Sequence, residues 1–181
     1  MTQRSLCAPT SAYVASYVNA LREGYQLGSD PPFNSEAIEA IAADFPAHLV
    51  ATTRQDRQAT FPNGSSGRVS PFSLFWFVEG EKEFLGSLHL RHELANDYAR
   101  LFAGHIRYGI RPSRRNEGLG TEMLIAAMTE ARVLGLSRIL LTCSETNIPS
   151  RRLIENCGGA FEKAVYGPND TGLIRRYWIN I

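Results

Sequence analysis

Two glycines flanking Leu119, just after a pair of arginines, are the feature of this sequence best suited to chemistry. The stretch Arg115-Asn116-Glu117-Gly118-Leu119-Gly120 lies between a predicted strand and a predicted helix. A first helical turn has backbone N–H groups without partners and carries the positive end of the helix dipole. Gly118 and Gly120 would let a ligand approach that backbone with no Cβ in the way. Asn116 is one of the few non-glycine types that tolerates a positive φ. Residues 105–120 carry four arginines (Arg107, Arg111, Arg114, Arg115) and one glutamate (Glu117), a local charge of +3. This combination predicts an anion site, with a diphosphate as the best-fitting ligand. The bland alternative is a plain glycine turn into a helix. A dinucleotide fingerprint needs a third glycine where Met123 stands, and the Gly-Lys-Ser/Thr of a phosphate-binding NTPase loop is absent.

A second cluster is His89-Leu90-Arg91-His92-Glu93. On a strand, His89, Arg91 and Glu93 would share one face, where Glu93 could attract an amine. The spacing matches no zinc signature, so no metal is expected, and a solvated strand end is the alternative. Cys143 and Cys157 read as small buried residues, since no base is placed beside either by sequence.

The elements that must position these groups follow from periodicity and punctuation. A short strand is expected around Arg4–Ala8, then a helix from Thr10 or Ser11 to Arg22, with Tyr13, Val14, Tyr17, Val18 and Leu21 on one face. A second helix starts at Asn34 or Ser35 and is expected to end at Pro46. Residues 61–67 form a turn. Residues 73–78 and 84–91 make an antiparallel hairpin. A strand over 105–111 stops at Pro112, and a helix over 121–134 ends at Gly135. The apolar run 138–143 suits a parallel strand covered on both faces. A helix from Asn147 to Gly158-Gly159 and a final hairpin (160–166, 172–181) complete an α/β domain expected to span residues 1–181.

Composition narrows the class. Hydrophobic residues make up 44% and charged residues 20%, which is ordinary for a globular protein and excludes a disordered chain. Nineteen Lys plus Arg against 18 Asp plus Glu leave +1, no footprint for nucleic acid. Three cysteines without a C-x-x-C fit a reducing cytoplasm. No apolar run approaches the ~18 residues of a membrane span, and the first residues lack a signal-peptide core.

The Arg-x-x-Gly-x-Gly pattern after a strand ending in Arg-Pro resembles the GNAT superfamily of acetyl-CoA-dependent N-acetyltransferases. Asn147 with Ser150, the stretch Cys157-Gly158-Gly159-Ala160-Phe161 and the order of elements agree with it. Residues 84–93, 104–124 and 175–179 look like a bacterial subgroup of predicted acetyltransferases. The resemblance covers most of the chain and is most specific over 105–160. It implies the acyl-CoA N-acyltransferase (GNAT) fold: a mixed, mostly antiparallel central sheet with helices on both faces, splayed between its fourth and fifth strands. It implies acetyl-CoA as co-substrate and direct acetyl transfer to a primary amine of a small-molecule or amino-acid-like acceptor, in a cytoplasmic enzyme that could be a homodimer.

By position, Ile110 and Arg111 would offer backbone groups to the acetyl-pantetheine arm. Arg115, Asn116, Gly118, Leu119, Gly120 and Thr121 would cradle the pyrophosphate, and Asn147 and Ser150 would contact the far side of the pantetheine. Two positions depart from the family's pattern. His105 stands where relatives often carry a glutamate base, and it could titrate near neutral pH and do that work. Ile154 stands where many relatives carry a tyrosine acid. These departures keep a competing reading open, a non-catalytic acetyl-CoA or CoA-binding module, and a sugar-phosphate site is a third. The +1 balance argues against a strongly cationic acceptor.

Overall fold

Caps and turn residues set the order of the elements in the computed structural model, which describes residues 3–55 and 58–181. Strand β1 (Arg4–Cys7) leads through a single 3-10 turn into helix α1 (Val14–Arg22). Helix α2 (Ser35–Ala43) is capped by Asn34, whose side chain accepts from Ala37 N at 2.8 Å. Pro46 does not end the second helix, as the sequence suggested. Asp44 ends α2 and caps a third helix, α3 (Phe45–Thr53), accepting from Ala47 N at 3.0 Å. Pro46 sits in that helix's first turn, where its missing N–H costs nothing.

Then come the short hairpin β2 (Gln58–Thr60) and β3 (Ser66–Arg68), and the longer one of β4 (Phe72–Glu79) and β5 (Glu83–Arg91). Strand β6 (Ile106–Ile110), helix α4 (Leu119–Val133), strand β7 (Arg138–Ser144), helix α5 (Ile148–Asn156) and strands β8 (Ala160–Tyr166) and β9 (Leu173–Asn180) follow. The architecture is mixed α/β with mostly antiparallel strands. One sheet runs β1-β4-β5-β6 and another runs β7-β9-β8. The run 138–143 was expected to be a parallel strand, but β7 pairs antiparallel with β9, Leu140 opposite Trp178. Ile139, Leu140 and Leu141 are each 0% exposed, and it is this burial, not strand direction, that produced the apolar run.

The chain divides into two compact units. The first comprises the chain through Arg54, Leu74–His89 and Tyr108–Ala126. Its core is aromatic: Tyr17 from α1 lies 4.8 Å from Trp76 of β4 and 5.1 Å from Phe84 of β5, ring centre to ring centre. Val18, Leu21, Ile38, Ile41 and Phe45 complete that core from the three helices. The second unit comprises Gln55–Ser73, Leu90–Arg107 and Ala127–Ile181. There the buried Arg176 of β9 pairs with Glu162 at 2.7 Å and donates to the Arg100 and Leu101 carbonyls of a π-turn over Ala99–Ala103. Among the described residues no helix is long and apolar enough to cross a membrane.

Phe84 has no exposed surface, and Phe84→Ala is expected to cost about 3–5 kcal/mol of unfolding free energy. Val133, 79% exposed, should tolerate alanine within about 0.5 kcal/mol. Urea unfolding of the two variants checks the contrast.

Candidate active site

Strand β6 ends at Ile110, and a 3-10 turn at Pro112–Arg114 carries the chain to the glycine loop. Asn116 takes φ 67° and Gly118 φ 78°, the left-handed conformations their types allow. Thr121 N and Glu122 N both donate to the Gly118 carbonyl, so the helix begins immediately after it. Leu119 and Gly120 are its first two residues, and no carbonyl lies one turn back to take their N–H groups. A Cβ built on Gly118 meets nothing within 4 Å, so the space in front of this turn is open.

The arginines of the loop do not form a free cationic patch. Arg111 grips Glu23 through two nitrogens, Nη2–Oε1 at 2.5 Å and Nε–Oε1 at 2.9 Å, and reaches Ser16 Oγ at 3.1 Å. That pairing, with the Ser113 hydroxyl, holds the Glu23 carboxyl down at about 2. Arg114 bonds Glu83 at 2.5 Å, Glu117 at 3.0 Å and Glu79 at 3.2 Å, and these carboxylates push its pKa up. Glu79 also takes Arg4, which reaches on to Glu122 in the first turn of α4 at 2.8 Å. The expected local charge of +3 is therefore offset by Glu23, Glu79 and Glu83, each brought in from a distant part of the chain. What remains in the loop is the exposed Arg115, whose Nε donates to the Ile110 carbonyl at 3.2 Å. The loop's own carboxylate, Glu117, is bound to Arg114 and so presents little net repulsion to an anion.

The backbone of Arg111 is also committed, contrary to the role given it above. Its N–H donates to Leu85 O at 2.8 Å and its carbonyl accepts from Arg114 N at 3.0 Å. Ile110 differs. Adjacent strand residues turn their main-chain groups to opposite edges, so Ile110 faces away from β5, on the outer side of the last strand in its sheet.

In the second unit, Asn147 caps α5, its side chain accepting from Ser150 N at 3.1 Å. Ser150 also bonds the Cys143 thiol, whose pKa is raised chiefly by burial. Glu93 is exposed and lies beyond the end of β5 at Arg91, so the strand face expected to hold His89, Arg91 and Glu93 stops before it.

His105 is buried, 7% exposed, and its ring is already in use. Nδ1 accepts from Leu140 N at 2.9 Å, which places the proton of the neutral ring on Nε2. The same residue's backbone donates to Leu140 O at 2.7 Å and accepts from Arg91 N at 2.7 Å. Desolvation, with the charges of Arg91 and Arg138, lowers its pKa to about 4. A ring whose lone pair is occupied and which stays neutral at pH 7 is a poor general base. The geometry favours a structural histidine over the base suggested by its position.

Sequence reasoning also missed Tyr25. Its buried hydroxyl sits 2.7 Å from Ser87 Oγ and accepts from Ser87 N at 3.0 Å. Only the glycines at 86 and 109 hinted at crowding there.

Residues 30–160 match the family described as Acetyltransferase (GNAT) domain. The chain belongs to the GNAT acetyltransferases. It is thus an acyltransferase by family, and solved structures share its fold. Spermidine N-acetyltransferase from Vibrio cholerae, in complex with CoA and spermine, is 18% identical over 98% of this chain and 95% of its own, with a TM-score of 0.62. RimJ from Mycobacterium smegmatis, in complex with CoA-disulfide, is 18% identical over 98% and 81%, with a TM-score of 0.66. The Salmonella typhimurium acetyl transferase that modifies the N-terminal serine of 50S ribosomal protein L7/L12 is 17% identical over 100% and 96%, at 0.64. No curated protein sequence matches this GNAT chain.

The His105 geometry carries a pH signature. A folded-state pKa below the ordinary 6.5 means that the unfolded chain takes the proton first. The stabilisation is whole above pH 6.5 and is lost as pH falls toward 4, an effect on the order of 1–3 kcal/mol. His105→Asn keeps an acceptor for Leu140 N without the titration. Its melting temperature should fall less between pH 6.5 and 4 than the parent's; parallel curves would contradict the assignment.

Proposed function

We propose that this acyltransferase moves an acetyl group from acetyl-CoA to a primary amine of a small-molecule or amino-acid-like acceptor, with residues 1–181 acting as one catalytic domain. The observation that carries this reading is the turn at Asn116–Gly120. It combines left-handed Asn116 and Gly118, open space where a Cβ would stand, and the first two amides of a 15-residue helix. These features fit a pyrophosphate: amide donors and the helix dipole favour the anion, and no unpaired carboxylate stands in the loop. Gly118, Leu119, Gly120 and Thr121 would hold it with Asn116 shaping the turn, and Arg115 would add the one side-chain charge. Ile110 would offer its main chain to the acyl arm. Asn147 and Ser150 are assigned to the pantetheine on the resemblance alone, with one lone pair of Asn147 Oδ1 given to the cap of α5.

The structures with CoA bound in V. cholerae and M. smegmatis relatives support the choice of co-substrate. Acetyl-CoA supplies an activated thioester. The acceptor nitrogen attacks its carbonyl carbon, the C–S bond breaks as the C–N bond forms, and the proton lost by the amine ends on the released thiol. The protein's part is to orient the thioester, polarise its carbonyl and exclude competing nucleophiles. With His105 occupied, the amine proton leaves through water; Glu93, an exposed carboxylate, is the proposed attractor of a cationic amine.

A cytoplasmic setting is supported by free thiols at Cys7, Cys143 and Cys157. A homodimer is supported by Phe161 and Tyr166, 52% and 82% exposed on β8, an outer strand of its sheet.

Gly120→Asp would place a carboxylate where the pyrophosphate is assigned. Calorimetry with CoA should show binding to the parent and loss of at least about 100-fold in affinity for the variant, the weight of two or more charge-assisted hydrogen bonds. Unchanged affinity would overturn the site. Release of free thiol from acetyl-CoA with a panel of amines tests turnover. Binding without turnover across the panel would favour the competing reading, a CoA-holding module.

A further inference from the structure

A side chain from outside the sheet meets the β5–β6 pairing at Ser87. Arg111 N bonds Leu85 O, and Arg91 N bonds His105 O. The two bonds share one antiparallel register, which places Ser87 opposite Gly109 as a hydrogen-bonded pair. A tyrosine hydroxyl stands at that pair. Ser87 N donates to the Tyr25 hydroxyl at 3.0 Å, and the hydroxyl lies 3.4 Å from Gly109 O, toward which it donates. Tyr25 comes from the segment after α1 and is 3% exposed.

The two glycines make the insertion possible. A Cβ on Gly86 would stand 2.3 Å from the Gly109 carbonyl oxygen. A Cβ on Gly109 would stand 2.1 Å from Gln26 O and 3.3 Å from the Tyr25 ring. The same segment is pinned again where Gly28 N donates to Tyr108 O at 3.1 Å, on the outer edge of β6. That edge also carries the Ile110 N–H, because Gly109 and Arg111 face β5 and Ile110 faces the other way. The Gly109 carbonyl and the Ile110 N–H belong to one planar peptide and point in opposite directions. Whatever fixes one therefore aims the other.

We infer that Tyr25 is a positioning residue for acyl transfer: wedged between Ser87 and Gly109, its hydroxyl sets the tilt of the Gly109–Ile110 peptide and so aims the Ile110 N–H at a thioester carbonyl. This rests on the proposed acetyl-CoA chemistry. The Ile110 N–H would polarise the carbonyl as charge develops on its oxygen. Without the wedge, Ser87 N can bond Gly109 O directly, the peptide rotates, and the donor is misdirected while the Gly118–Thr121 turn is untouched.

The test uses acetyl-CoA labelled with carbon-13 at the carbonyl and reads its stretching frequency on the protein by difference infrared spectroscopy, with calorimetry of CoA binding alongside. The parent should lower the frequency relative to free acetyl-CoA. Tyr25→Phe should bind CoA with the parent's affinity, lose most of that lowering, and reduce kcat on an amine accepted by the parent by at least about 10-fold with little change in KM for acetyl-CoA. Ser87→Ala, which removes only the hydroxyl partner of Tyr25, should lose part of both and keeps the test open should Tyr25→Phe misfold. Tyr17→Phe removes another buried hydroxyl from the same aromatic cluster, one that meets His48 and not the strands, and should leave both readings unchanged. A Tyr25→Phe protein with the parent's frequency and kcat, or a Tyr17→Phe protein as impaired as it, would overturn the inference. A parent that binds no acetyl-CoA would overturn the proposed function itself, and this inference with it.

Discussion

A buried tyrosine hydroxyl stands between two strands of the first unit: Tyr25 accepts from Ser87 N at 3.0 Å and lies 3.4 Å from the Gly109 carbonyl. Much of the first unit is arranged around that hydroxyl. Gly86 and Gly109 leave room for it, Gln26 packs against Gly109, and Gly28 ties the same segment to Tyr108. Tyr25 in turn belongs to the aromatic core, 5.2 Å from Phe84, so the hydroxyl between the strands is held by rings that cannot shift cheaply. The strand thus reaches Ile110 with its outer edge defined, immediately before the turn that ends in the amides of α4.

The charge network does a related job. Two of the four arginines that the sequence places near the loop are spent inside the protein, Arg111 on Glu23 and Arg114 on three carboxylates, and Arg4 joins the network through Glu79 and Glu122. These pairs are partly exposed, so each adds little to stability. Their effect is geometric. They fasten the 3-10 turn at Pro112–Arg114 to α1, to β4 and β5, and to the start of α4. For the proposed anion site this leaves the backbone amides and Arg115. Amides fixed by a helix lose little freedom on binding, which suits a ligand held by a short turn.

Much of this was legible in the sequence because it is local. Gly118 and Asn116 declared a left-handed turn, the apolar spacing of residues 124–134 declared a helix, and Asn147 declared a cap. The family and its mostly antiparallel α/β architecture followed from the same stretch. What failed was non-local. Glu23 and Glu79 neutralise arginines 88 and 35 positions away, and no pattern of spacing announces such pairs. His105 looked like a base by position, but its character is set by Leu140, 35 residues on. Pro46 reads as a stop in sequence, but Asp44, two residues before it, ends one helix and caps the next. The direction of β7 was misjudged because burial on both faces erases the alternation that tells antiparallel strands apart.

In the proposed function, two stretches of backbone, the outer edge of β6 at Ile110 and the turn at Gly118–Gly120, recognise one acyl-CoA. An amide-resolved NMR titration of the isotopically labelled protein with CoA and with acetyl-CoA tests it most directly. Both ligands are expected to shift the Gly118, Leu119 and Gly120 amides, and the acetylated form alone to add a large downfield shift at the Ile110 amide. Shifts that leave the turn unmoved, or an Ile110 amide indifferent to the acetyl group, would contradict it.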